Sequence, residues 1–92
     1  MIRAKAPVWR ADLDALEFLP GGHGAPCMVH RLAFRKFCGP APDAADCLSF
    51  FDANRAAFQA AAAAKIEEYG LKADTSLHLN SRDIDRQLTA TP

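Results

Sequence analysis

The sequence predicts a small α+β domain in which a three-stranded antiparallel or mixed sheet is covered on one face by a long helix, in the order β-β-α-α-β-α. Three observations carry this expectation. Two short runs, Ala15 to Leu19 and Ser76 to Asn80, alternate apolar with polar residues, the period of a strand with one buried face, and Ala25 to Val29 follows the first of them across a glycine-rich turn as another short strand. The stretch from Ala44 to Tyr69 holds neither proline nor glycine and repeats its large apolar side chains at helical spacing. Segments rich in glycine and proline separate these runs and supply the turns.

Taken in order, the first nine residues have no clear period, and Val8 and Trp9 are expected to cover one edge of the core. Leu16 and Phe18 then face inward with Glu17 outward. Pro20-Gly21-Gly22-His23-Gly24 breaks the strand, because glycine reaches positive φ without strain. Cys27 and Val29 face inward on the next strand and Met28 outward, so the pair reads as an antiparallel hairpin. His30 to Cys38 has Ala33, Phe34 and Phe37 at helical spacing and ends at Gly39-Pro40.

Asp43 suits the N-cap of the main helix, with Asp46 as its capping-box partner. Leu48, Phe51, Phe58, Ala62, Ile66 and Tyr69 fall on one stripe, and Gly70 stands where a helix ends. A straight helix of this length would run roughly 40 Å, which rivals the width of the domain and argues for a bend or break near Asp52 to Asn54. Leu77 and Leu79 face inward on the third strand with His78 outward. Asn80 or Ser81 caps a last helix, Arg82 to Leu88, that turns Ile84 and Leu88 inward. The core is therefore expected where Leu16, Phe18, Cys27, Val29, Leu77 and Leu79 meet Phe51, Phe58, Ala62 and Ile66.

Composition narrows the function classes. The 92 residues, 50% hydrophobic, make one domain over 1–92 with a modest core. Eleven basic residues balance eleven acidic ones, so no basic stripe points to nucleic acid or to an anionic membrane surface. No run reaches the ~20 apolar residues of a membrane span. Arg3, Lys5 and Pro7 interrupt any leader-like segment. An odd count of three cysteines fits the reducing cytoplasm better than a disulfide-bonded secreted domain.

Each candidate chemistry meets a competing plain reading. His23, Cys27 and His30, with Cys38 and Cys47 further on, lack zinc-ligand spacing, since Cys27 and His30 point to opposite faces of one strand; no metal and no cofactor is expected. The cysteines read as small buried hydrophobes. Cys47 near a helix start has Asp43 and Asp46 beside it, which oppose a thiolate. The Gly21-Gly22-His23-Gly24 loop lacks the lysine and spacing of a phosphate loop and joins two strands. His78, with Asp83 and Asp85 nearby in sequence, has the ingredients of acid–base work but no nucleophile beside it.

Arg55 lies on the edge of the apolar stripe. It is expected either to pair with Glu17 or Asp83 as a clamp between helix and sheet, or to bind an anion with His30 or His78. On the back of the helix, Ala53, Ala56, Ala57, Ala60, Ala63 and Ala64 form a face without charge until Glu67. Small side chains let two helices approach closely, so a homodimer through this face is expected.

A set of short signatures runs along most of the chain. These are Trp9, Leu16-Glu17-Phe18, Cys27-Met28-Val29 leading into Ala33-Phe34 and Gly39, Phe51-Asp52-Ala53-Asn54-Arg55, Ala64 to Ile66, and Leu79 followed by Asp83. In this order the chain resembles a bacterial family, domain of unknown function 1488. The resemblance implies the α+β fold and a bacterial cytoplasmic home and supplies no activity. His30 stands where the resemblance implies a Ser-like helix cap. The functional expectation is a small non-catalytic, self-associating interaction or regulatory module. The alternative is a minor enzyme or anion binder using Arg55 with His30 or His78.

Overall fold

The computed structural model describes residues 6–90. Alternation of inward and outward side chains builds a mixed four-stranded sheet in the order β1-β2-β3-β4: Val8–Arg10, Ala15–Phe18, Cys27–His30 and Leu77–Leu79. β1 to β3 are antiparallel neighbours, and β4 lies parallel to β3. The expected three strands are therefore four. β1 escapes a reading by period because three residues carry a single inward side chain, Trp9, which pairs with Leu16. Its partner signal is the short turn into β2, closed by Asp14 at φ 51°, a left-handed conformation that aspartate tolerates better than most residues.

His30 ends β3 and starts a 3₁₀ turn, Arg31–Phe34, that runs into α1, Arg35–Cys38. α2, Ala44–Ala53, opens with the expected capping box: Asp46 N–H donates to Asp43 Oδ1 at 2.8 Å, and Asp43 N–H donates to Asp46 Oδ2 at 3.0 Å. The long helix does break, at Asn54, and α3 continues over Arg55–Tyr69. Asn54 leaves helical geometry at φ −130°, its N–H turns back to Phe51 O, and its side-chain amide donates to Phe50 O at 2.9 Å. A straight helix over 44–69 would run roughly 39 Å, longer than the molecule's largest extent of 34 Å. The break keeps both halves over the sheet. α3 ends at Gly70, φ 59°, and α4 covers Ser81–Ala90.

All helices that reach the core lie on one face of the sheet. The expected inward residues of β2, β3 and β4 are buried with Phe34, Cys47, Phe51, Phe58, Ala61, Ala62 and Ile84. All six phenylalanines touch another phenylalanine ring, with Phe58 meeting Phe18, Phe34, Phe50 and Phe51. Such ring pairs add to plain area burial. One expectation needs correction. Tyr69 is exposed, because cover for the helical stripe ends near Ile66. Met28 points to the outer face of the sheet, yet is only 8% exposed, shielded in a cross-strand row between Glu17 and His78.

Candidate functional site

The three residues singled out from the sequence do not converge. Arg55 opens α3 in the helix layer. Its guanidinium pairs with Asp52 one turn back, at 2.8 Å, and lies 5.6 Å from the centre of the Phe51 ring. Glu17 and Asp83, the partners foreseen for it, are engaged elsewhere: Arg10 holds Glu17 at 2.9 Å and Lys65 holds Asp83 at 3.1 Å. His30 and His78 belong to the outer rows of the sheet, on the opposite side from α3. His30 takes the place of the Ser-like cap. Its Nδ1 accepts Leu32 N–H at 3.1 Å, so the proton sits on Nε2, facing Asp14 at 4.0 Å. His78 is exposed as expected, and its backbone carbonyl accepts from Lys65 Nζ at 2.7 Å.

Three backbone donors of the glycine loop are spent on the protein itself. Gly21 N–H donates to Gln59 Oε1 at 2.8 Å, His23 N–H to Pro20 O, and Gly24 N–H to Ala73 O at 2.8 Å. A Cβ on Gly24 would lie 3.0 Å from the Ala73 oxygen, so this glycine answers a close approach of two backbones. His23 is buried with its Nε2–H on Thr75 O at 2.7 Å, locking the turn to the segment that leads into β4. Among the described residues, no group of three or more His, Cys, Asp or Glu is arranged to hold a metal. The cysteines are free thiols. Burial pushes Cys27 up to about 12 and Cys47 up to about 11, with Cys38 and Asp46 adding to the latter; Cys38 is raised by burial and then by Asp46. A catalytic thiol needs the opposite shift.

Charge gathers on the outer sheet face, where Arg10 bridges Asp12 and Glu17. The hydrogen bond to Asp12 holds the Arg10 guanidinium above its ordinary value and Asp12 below its own. Uncharged surface gathers on the helix layer. A groove of about 510 Å³ runs between the α2–α3 junction and α4, lined by Ala53, Asn54, Ala56, Ala57 and Ala60 from one side and Gln87 and Leu88 from the other. None of these side chains ionises. Asn54, where α2 gives way to α3, lies in the groove wall. Of the six alanines expected on one face, four line it. Ala64 instead borders a charged depression with Lys65, Glu68, Asp83 and Arg86, and Ala63 is exposed. Sequence alone could not draw this division, since α4 supplies the second wall.

Fold and surface together define a two-layer α+β domain with one charged sheet face and one uncharged helical groove. The chain belongs to the family described as "Protein of unknown function (DUF1488)", whose profile matches residues 5–79. That span holds all four strands and α1 to α3; α4 follows it. No curated protein and no solved structure matches the chain. No helix among the described residues is long and apolar enough to cross a membrane.

Proposed function

We propose that the protein is a small non-catalytic interaction module that pairs with a second copy of itself through the alanine groove, in the bacterial cytoplasm. The observation that carries the reading is the groove's chemistry: an open channel without an ionisable side chain, on a chain in which 24% of residues are charged. Alanine-lined helices approach to about 8 Å, the close end of helix packing, and a two-fold axis would set each groove against its twin. Leu88, partly buried at the rim, supplies the larger apolar side chain that such a seam requires. The commitments of the ionisable groups favour a non-catalytic role: Arg55 is paired, His23 and His30 are tied to the backbone, and the thiols are held protonated. Three free cysteines fit a reducing compartment.

Sedimentation equilibrium tests the reading. The wild-type chain is expected to sediment as a dimer and Ala60→Glu, which places a charge in the groove, as a monomer. Ala64→Glu, outside the groove, should remain dimeric. A monomeric wild type, or a dimeric Ala60→Glu, would overturn the proposal.

A further inference from the structure

Cys38 ends α1 and Cys47 stands in the first turns of α2. The connector between the two helices, residues 39–43, starts from Gly39 at φ 95° and folds one helix against the other. Two contacts hold that packing. Phe37 and Phe50 stack with centroids 5.0 Å apart and planes 12° apart. The Cys38 thiol lies 4.0 Å from the carbonyl oxygen of Asp46, the peptide unit that joins directly to Cys47. Cys38 is partly exposed and Cys47 is fully buried. Cys27 is apart from both, inward on β3 between Phe18 and Leu77.

We propose that Cys38 and Cys47 form a reversible internal disulfide, with Cys38 as the thiol that meets a small-molecule disulfide such as oxidised glutathione. The proposal does not depend on self-association. In the first step the Cys38 sulfur, having lost its proton, attacks one glutathione sulfur; a mixed disulfide forms and one glutathione leaves as thiolate. In the second step the Cys47 sulfur, having lost its proton to solvent, attacks the Cys38 sulfur; the Cys38–glutathione bond breaks as the Cys38–Cys47 bond forms, and the second glutathione leaves as a thiolate that takes up a proton from solvent. Two protein thiols are oxidised and one glutathione disulfide is reduced to two thiols. The contact of the Cys38 thiol with the peptide unit that leads into Cys47 favours this pair for the second step, and the few residues between the two cysteines make a short loop to close. Because burial and the nearby Asp46 carboxylate disfavour both thiolates, exchange is slow at neutral pH and quickens as the solution is made alkaline.

The test is intact-mass analysis of the purified chain after incubation with excess oxidised glutathione at mildly alkaline pH, followed by peptide mapping. The expected product is lighter by about 2 Da, the loss of two hydrogens in disulfide formation, with Cys38 and Cys47 in one linked peptide and full return on reduction. Cys38→Ser should give no internal bond. Cys47→Ala, which keeps a small apolar side chain in the core, should stop at a glutathione adduct on Cys38. A wild-type chain that accumulates that same adduct without closing would overturn the proposal. So would a linkage to Cys27, or one between two chains.

Discussion

His30 and Asp14 show how single side chains fix this fold. His30 accepts Leu32 N–H through Nδ1, doing with an imidazole what an N-cap serine does with its hydroxyl. His30→Ala is therefore expected to cost about 1 kcal/mol, the usual worth of a cap, and His30→Ser to recover most of it in urea unfolding. Asp14 combines a left-handed backbone with a carboxylate that receives Arg31 Nε at 2.8 Å, while its carbonyl accepts Arg31 N–H. Asp14→Ala should lose about 1–2 kcal/mol, through left-handed strain and a half-exposed ion pair; Asp14→Asn should lose less than half of that. A sequence reading finds His30 as an oddity and passes over Asp14. The partner of Asp14 is not visible there, because Arg31 meets it only once β2 and β3 are paired, whereas the cap from His30 to Leu32 is local.

Between elements, Lys65 is the tie the sequence assigned to Arg55. Its ammonium donates to the His78 carbonyl at 2.7 Å and to Asp83 at 3.1 Å, and so joins α3 to β4 and to the start of α4. Asp83 is also the capping partner of Asn80. Removing the ammonium in Lys65→Met should destabilise by about 1–3 kcal/mol, because a mostly buried carboxylate loses its counter-charge. Arg55→Ala should change stability by no more than about 0.5 kcal/mol, the scale of an exposed pair one helical turn apart. Thermal melts of the two variants side by side check both. The helical count placed Arg55 near Phe51 correctly, yet a count cannot show that Asp52 takes the guanidinium first. Strand alternation, the capping box at Asp43 and the break before Arg55 were legible because each rests on local chemistry. β1 was not, because its three residues become a strand only by pairing with β2.

On the scale of the whole molecule, one buried face holds most of the large apolar side chains, and its two fully buried thiols give it an alkaline limit. Cys27 and Cys47 bind their protons more tightly in the fold, at about 12 and about 11, than at the ordinary 9.0. Their contribution is complete below pH 9 and is lost as pH rises through those values. Urea unfolding at pH 10.5 should show a loss on the order of 4 kcal/mol relative to pH 8, about half from each thiol, and Cys27→Ala should shrink that pH-dependent part. The opposite face of the molecule's chemistry is the uncharged groove beside Ala57, the central claim of the functional account. Backbone amide spectra recorded over a concentration series test it most directly. The account predicts that signals of Ala53, Ala56, Ala57, Ala60 and Leu88 move with concentration while those of Glu17, Met28 and His78 stay fixed. Spectra that do not change with concentration, or changes centred on the sheet face or the β1 edge, would contradict it.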